Sequence, residues 1–576
     1  MTLTAPRPTE EAPRAAGGFL ARAFGITALL SAAGSLLGLL RDLLLARFYG
    51  ADQGTDAFLV SWTVPETAAP LLIEDAMAFL MVPAFSLALA ARAARPADWA
   101  GPGRGSRGEP AAVGRRTLVP VRDPGQLRDP VRELVAATLP PLALLLAALS
   151  AATALGAPLL VGLLAPGLPD HALAVVCTRL TALTVLPFGL TGYLSAGLRA
   201  HHRFTGPGAV YIVYNAGILA VMVLLHGSLG VRAAAAGVAF GSALMTALLL
   251  PLFSRHCGRL TSPRREPSRQ APAISPLALL PVALFTLTRQ AQVFVERFLA
   301  SSLAPGTISH LNYAEKVAQM AMTLGMMVCT VTFPLVARAL ADGDTDRARR
   351  RVEQDLELVG AVVLAGTAVL VACAPRIVEL LFQRGAFTPA DTDATAAAMR
   401  VYSLGLLGQA MVGTLVRPFF SVRPAVTLGG GPVLRRDRSD WYPIAAMGLG
   451  LLVTAVTGAA SAHRFGALGL AAANAAGITL TAALLLGALR ARGVPVRVPA
   501  VLLAQLRLLL AAGVATTAAY AASGLVGADP LVAVLLGAVA GLAAFVVVLA
   551  PLTGRLRTAV PAFAGRASEG ESGHDR

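Results

Sequence analysis

The chain has 576 residues, of which 56% are hydrophobic and only 14% are charged, and its mean hydropathy is +0.67. A soluble protein averages about 25% charged residues, so this composition excludes a soluble globular protein and a disordered chain and predicts an integral membrane protein. The formal charge of +16 comes almost entirely from arginines beside apolar segments, which indicates membrane topology and argues against nucleic-acid binding.

Apolar runs long enough to cross a bilayer, which takes about 20 residues, recur fourteen times along the chain. They lie near residues 20–45, 56–91, 132–164, 171–198, 207–227, 230–253, 275–303, 311–341, 356–381, 392–420, 441–462, 466–489, 500–525 and 529–553. The predicted fold class is therefore an all-α integral membrane protein with about 14 transmembrane helices. The second run contains Pro65 and Pro70, which predict a broken or kinked helix.

Two polar stretches rich in Gly, Pro and Arg interrupt the apolar pattern and suggest the domain organisation. We expect two six-helix lobes, followed by a final helix pair, a layout that suits a transporter whose halves rock about a central site. The predicted parts are an N-terminal tail 1–19, an N-lobe 20–253 with a flexible loop 94–129, a linker 254–274, a C-lobe 275–489, a helix pair 490–553 and a tail 554–576.

The arginines between the runs predict the orientation. Loops that join an even-numbered run to the next odd-numbered run are rich in Arg, whereas the alternate loops are short and poor in Arg. Since cytoplasmic loops carry the excess of basic residues, both tails and the stretches 94–129 and 254–274 are expected in the cytoplasm. This predicts a multi-pass membrane protein with an even number of spans.

Charged residues inside the apolar runs are the candidates for function, because an ionised group at the bilayer centre costs about 2.5 to 3.5 kcal/mol unless it has a partner or water. They concentrate in the opening runs of each half: Arg41, Asp42, Asp56, Glu66, Glu74 and Asp75, then Arg289, Glu296, Arg297, Glu315 and Lys316. Lys316 is the single lysine of the chain.

Two interpretations of these charges remain open at this stage. They could form local salt bridges or sit at the interface, for example Arg41 with Asp42 and Glu296 with Arg297. Alternatively, they could face one another across the two lobes in a hydrated cavity whose cations bind a phosphate or diphosphate. The cysteine and histidine spacings match no metal or nucleophile motif, so neither a metal, a cofactor nor an enzymatic activity is predicted.

The segment Gly34-Ser-Leu-Leu-Gly-Leu-Leu-Arg41-Asp42 is followed by Thr55-Asp56-Ala57-Phe58. Two later motifs are Asn312-Tyr-Ala-Glu315-Lys316 and Arg384-Gly-Ala-Phe-Thr388. Together these motifs resemble the MurJ/MviN family of lipid II flippases, in the multidrug/oligosaccharidyl-lipid/polysaccharide exporter superfamily, which implies a location in the bacterial plasma membrane. The resemblance covers about residues 20 to 553.

The resemblance implies two lobes around a cationic cavity, with a lipid-tail groove beside the last two helices. It implies transport of a polyprenyl-diphosphate sugar from the inner to the outer leaflet by alternating access, in peptidoglycan biosynthesis. The expected partners are this lipid-linked saccharide, membrane lipids and cell-wall synthesis enzymes, and the energy would come from the membrane potential or an ion gradient. The expected substrate-binding residues are Arg41, Asp56, Glu74, Lys316, Glu315, Arg289 and Glu296.

This chain departs from the family pattern at three cavity positions. Ser35 and Ala69 stand where the family usually has arginine, and Lys316 replaces a third arginine. Two alternative functions therefore stay open: export of another lipid-linked glycan or a drug, and a non-transporting scaffold for cell-wall enzymes.

Overall fold

The computed structural model describes residues 12–93, 129–257, 276–341, 344–420, 441–525 and 529–552. Within these ranges the chain consists of helices and short turns, and no β-strand occurs there. The predicted all-α class is confirmed. A backbone in lipid must satisfy its N–H and C=O groups internally, and a helix does so within one segment.

The helices of the first half all belong to residues 12–257. They are α1 (Ala12–Tyr49), α2 (Gln53–Ala69), α3 (Ala76–Ala93), α4 (Pro130–Leu155), α5 (Ala157–Leu164), α6 (His171–Ala182), α7 (Val185–Ala200), α8 (Thr205–Leu229) and α9 (Arg232–Cys257). A π-helical segment, Pro70–Asp75, joins α2 to α3.

The remaining helices follow from residue 276 onward. They are α10 (Pro276–Ala300), α11 (Thr307–Ala341), α12 (Thr345–Phe382), α13 (Pro389–Ser403), α14 (Leu406–Leu415), α15 (Arg417–Phe420), α16 (Tyr442–Ala488), α17 (Val498–Gly524) and α18 (Pro530–Leu552). A 3-10 turn, Leu489–Arg492, follows α16.

Each of the fourteen predicted apolar runs coincides with helical structure. Nine helical segments of the described residues are long and apolar enough to cross a membrane, so the count of fourteen spans stays a prediction. The kink predicted in the second run is confirmed, because the α-helix changes to a π-helix at Pro70. The two runs within residues 441–489 form one helix, α16, broken at Gly466, whose φ of 55° suits glycine.

Two helices extend beyond the boundaries predicted for them. Helix α1 begins at Ala12, inside the predicted tail 1–19, and α9 continues to Cys257, inside the predicted linker 254–274. Both helices continue beyond their hydrophobic stretch, and a hydropathy profile does not detect the helical residues outside that stretch. The remainder of the two predicted loops lies outside the described residues, as do residues 421–440 and 553–576.

Helices pack mainly within their own half of the chain. In the first half α8 packs on α1 and α9, and Phe85, Tyr193 and Phe253 stack edge to face between α3, α7 and α9. In the second half α11 and α13 pack on α12, while α10 packs on α16. Helices α17 and α18 form a pair that packs against α12.

The outer surface of the final helix pair is strongly apolar. Leu510, Val539 and Val547 are 59%, 67% and 70% exposed. Such a surface would be unfavourable in water, whereas lipid chains cover it without loss. This exposed apolar surface agrees with the membrane location indicated by composition.

The two segments of α16, before and after Gly466, pack so closely that no side chain fits at Gly477. A Cβ atom at Gly477 would lie 2.5 Å from the carbonyl oxygen of Gly450 and would clash with the Thr454 hydroxyl. Because both obstacles belong to a buried helix contact, we expect Gly477→Ala to lower the free energy of unfolding by roughly 1 to 3 kcal/mol. Gly448→Ala, which meets open space on the same helix, is the matched control and should leave the melting temperature of the purified protein nearly unchanged.

Candidate functional site

A small cavity lies between α1, α2, α8 and α11, and its wall contains Arg41 and Lys316, two of the three cations that we expect to bind substrate. Its volume is about 10 Å³, which is room for roughly one water molecule, so the site is nearly closed in this conformation. Arg41 and Asp42 line it from α1, and Asn312 and Lys316 line it from α11. Residues 275 positions apart in the sequence, Arg41 and Lys316, are thus brought to one cavity.

Arg41 is held in place on three sides. Its guanidinium donates to the Asp42 carboxylate at 2.8 Å and to the Asn215 side-chain oxygen of α8 at 3.2 Å. Its Cζ atom also lies 4.5 Å from the centre of the Trp62 ring, a cation–π distance. The predicted Arg41–Asp42 pair is confirmed, and these contacts orient the guanidinium before any ligand is bound.

Lys316 belongs to an ion-pair network that crosses from the second half of the chain to the first. Its ammonium donates to the Glu66 carboxylate at 2.9 Å, and Arg297 approaches the same carboxylate at 3.9 Å. Arg297 also donates to the Asn312 side chain at 3.3 Å. Glu66 therefore connects α2 to both α10 and α11.

Asp56 connects the halves at the end of the bundle where α1 passes to α2. Its carboxylate accepts hydrogen bonds from the backbone N–H groups of Gly306 and Ser309, at 2.7 and 2.8 Å, and from the Ser309 hydroxyl at 2.6 Å. It therefore caps the beginning of α11, where unpaired N–H groups and the helix dipole favour an anion. Asp56 is 4% exposed and faces this joint.

Other contacts at the same end tie the halves together. The Tyr313 hydroxyl donates to the carbonyl of Gly50 at 3.2 Å, and the Ala386 N–H donates to the carbonyl of Arg47 at 2.9 Å. The Arg384–Thr388 motif noted in the sequence thus packs against the end of α1. Thr388 and Asp391 form a capping box that begins α13 and fixes this loop.

The remaining candidate residues do not line this cavity. Glu74 is exposed and accepts from the Tyr211 hydroxyl at 2.6 Å, and Arg289 is exposed on α10. Glu315 accepts from Gln319 at 2.5 Å, and Glu296 is buried against α16, where it accepts from Asn474 at 3.5 Å. The side chain of Asp75 lies outside the described residues.

The predicted Glu296–Arg297 salt bridge is wrong. Glu296 faces α16, where it accepts from Asn474, whereas Arg297 turns toward α2 and α11. The partner of Arg297 is Glu66, which is distant in sequence.

The family assignment follows from comparison of the whole chain with known proteins. The family model described as "Lipid II flippase MurJ" matches residues 45–536, which is most of the chain. The chain belongs to the MurJ family. The predicted membership of this family is thereby confirmed, and the match includes the motifs around Asp56 and Lys316.

Two curated MurJ relatives are similar over long stretches. The probable lipid II flippase MurJ of Rhizobium meliloti (strain 1021) is 25% identical over 399 residues, which cover 67% of this chain and 68% of the relative. The lipid II flippase MurJ of Burkholderia cenocepacia is 25% identical over 440 residues, covering 73% and 78% of the two chains.

Solved structures agree on the fold. A structure described as "Lipid II flippase MurJ, inward closed conformation" superposes with a TM-score of 0.67 at 16% identity, covering 92% of this chain and 99% of that one. An inward-facing multidrug resistance MATE family transporter superposes with a TM-score of 0.58 at 11% identity, covering 81% and 98%. The fold is thus that of MurJ and MATE membrane transporters.

The sequence does not single out four residues that contact the cavity cations of this MurJ-family chain, directly or through Glu66. Glu66 and Arg297 stand out in the sequence only as charges, and Asn215 and Trp62 carry no charge that would mark them. Asn215 is buried inside an apolar helix, a signal that could have identified it, because a buried amide requires partners. The partner of Glu66 could not be deduced from spacing, since 250 residues separate it from Lys316.

Proposed function

We propose that this chain flips lipid II from the cytoplasmic to the outer leaflet by alternating access, in peptidoglycan synthesis. The observation that carries the proposal is the convergence of Arg41 and Lys316, one from each half, on a single cavity. Two cations that line one cavity from different helices suit a diphosphate, whose oxygens can accept from both. Membership of the MurJ family supports lipid II as the cargo.

Some of these residues would bind the diphosphate, and others hold a binding side chain in position. Arg41 and Lys316 would contact the diphosphate, while Asp42, Asn215 and Trp62 keep the Arg41 guanidinium aimed into the cavity. A guanidinium fixed in advance loses less side-chain entropy when the ligand binds. Glu74, Glu315, Arg289 and Glu296 remain candidates for contacts with the sugars or for charge balance.

The polyprenyl tail would stay in the lipid phase beside the final helices. Helices α17 and α18 present the aliphatic surface described above, and they pack on α12, outside the cavity-lining helices. This arrangement supports a route in which only the polar headgroup leaves the membrane environment. The tail would then slide along lipid-exposed helices while the diphosphate crosses through the cavity.

The arginine-rich loops support an orientation with both termini in the cytoplasm. In that orientation the hydrogen bonds of Asp56 to Gly306 and Ser309 lie on the external side, so the described conformation is closed to the outside. The described hydrogen bonds between the halves lie at that end or at the level of Glu66. This agrees with a resting state that receives its cargo from the cytoplasmic leaflet.

Energy for transport would come from the membrane potential or an ion gradient, since the sequence has no nucleotide-binding motif. Moving one elementary charge through 100 mV supplies about 2.3 kcal/mol. The proposal also includes contacts between this chain and cell-wall synthesis enzymes.

Complementation combined with a leaflet assay tests the proposed function. We expect the full chain to restore growth to a bacterium depleted of its essential lipid II flippase, and to expose lipid II at the outer leaflet. Normal expression without rescue would favour a different lipid-linked glycan or a drug as cargo. Rescue by an Arg41→Ala, Lys316→Ala double variant that no longer moves lipid II would favour a scaffold.

A further inference from the structure

Every cation of the central network already has an anionic partner within the protein. Arg41 pairs with Asp42, and Glu66 lies between Lys316 and Arg297. Carboxylates of the protein itself therefore occupy Arg41, Lys316 and Arg297. A diphosphate entering this cavity meets a carboxylate at the position where the ammonium of Lys316 would bind it.

Only one oxygen of the Glu66 carboxylate has a hydrogen-bond partner. One oxygen accepts from Lys316 at 2.9 Å, but the other, Oε2, is buried without a hydrogen bond, and Arg297 lies 3.9 Å from it. The Nε atom of Arg297 is also buried without a partner. A ligand with more acceptor oxygens than a carboxylate could satisfy both cations better.

The backbone places Glu66 at this point for a local reason. Its carbonyl would normally accept from the N–H group four residues later, but that residue is Pro70, which has no N–H. The side chain of Gln290 on α10 donates to this carbonyl instead, at 3.0 Å. Because of the proline, the Glu66 carbonyl is free to accept from Gln290, and this hydrogen bond joins α10 to α2. The side chain of the same residue accepts from Lys316 on α11.

We propose that Glu66 is an internal substitute for the substrate's diphosphate, occupying Lys316 and Arg297 until an anionic headgroup displaces it. This inference rests on the proposed function and adds a residue that sets how tightly the headgroup is held. The Lys316 and Glu66 side chains are 24% and 18% exposed, so neither is sealed inside the protein, and the small cavity beside Lys316 must widen to admit the headgroup. When the headgroup leaves, the Glu66 carboxylate returns to Lys316 and neutralises the site.

Removing the Glu66 charge should strengthen diphosphate binding. In Glu66→Gln the ammonium of Lys316 no longer has a competing carboxylate, and the like-charge repulsion between Glu66 and the ligand disappears. With at least one charge-assisted contact freed, we expect the dissociation constant for farnesyl diphosphate to fall about tenfold or more. Farnesol, which lacks the charge, should bind both proteins equally.

The measurement is isothermal titration calorimetry of the full chain in lipid nanodiscs, with farnesyl diphosphate and farnesol as probes. Glu379→Gln is the matched control, since it neutralises a half-exposed ion pair with Arg376 away from the cavity, and it should leave both affinities unchanged. In the double variant Glu66→Gln, Lys316→Gln the gain should vanish. If Glu66→Gln does not fold, Glu66→Asp retracts the carboxylate and should give a smaller gain of the same sign.

The outcomes separate this inference from the proposed function. Unchanged or weaker binding by Glu66→Gln, no measurable binding by it, or a gain that survives the loss of Lys316 would each overturn the role of Glu66. Lipid II flipping by the wild-type protein is measured independently in proteoliposomes. If flipping is present and the affinities do not change, only this inference fails; if flipping is absent, the proposed function fails.

Discussion

Lys316→Ala is expected to reduce lipid II flipping by roughly 10- to 100-fold, the loss that corresponds to one charge-assisted contact of about 1.5 to 3 kcal/mol. The substitution removes the cation that the second half contributes to the cavity, and it leaves Glu66 with Arg297 at 3.9 Å. The measurement is the rate of lipid II translocation in proteoliposomes, with the melting temperature as a check on folding. Arg41→Ala should cause a loss of the same order from the opposite wall.

Lys316→Arg is the matched control for this prediction. It keeps the charge and restores the residue that related proteins usually have, so flipping should stay within a few-fold of the wild-type rate. Wild-type rates from both alanine variants would show that the cavity between α1 and α11 does not carry the cargo. A loss in Lys316→Arg as large as in Lys316→Ala would show that the charge itself is not the important property.

Asp56→Ala is expected to open the joint between the halves at the α1–α2 end of the bundle. The substitution removes three hydrogen bonds to one carboxylate, from Gly306, from the Ser309 backbone and from the Ser309 hydroxyl. Hydrogen bonds to charged groups contribute about 1.5 to 3 kcal/mol each. The closed form should therefore lose a factor of roughly 100 or more in population relative to the open form.

Labelling of a single cysteine measures this opening. Thr307→Cys, in a background without the four native cysteines, places a thiol at a position that is 7% exposed beside Gly306. Asp56→Ala should accelerate its reaction with a membrane-impermeant maleimide. Asp52→Ala is the control, because Asp52 caps α2 through Thr55 and makes no described bond to the second half; equal labelling in the two variants would refute the role assigned to Asp56.

Local sequence patterns determined the class and most helix positions of this protein. Apolar runs of about 20 residues fix where helices form, and Pro65 and Pro70 predicted the irregular second run, because lipid burial and a missing N–H act within a few residues along the chain. Motifs around Arg41 and Lys316 indicated the family and two cavity cations. The Arg41–Asp42 pair was predictable for the same reason, since its partners are neighbours.

Only the tertiary structure decided which distant charges meet. Glu66 lies against Lys316 and Arg297, and Asp56 caps α11, although each pair of partners is separated by more than 230 residues. Hydropathy locates a helix but leaves its rotation and its neighbours undetermined, so it cannot say whether Arg297 faces Glu296 or α2. Those choices depend on how the two halves pack. In that packing the Asp56 carboxylate joins the halves by capping α11, and the Glu66 carboxylate pairs with Lys316 and Arg297.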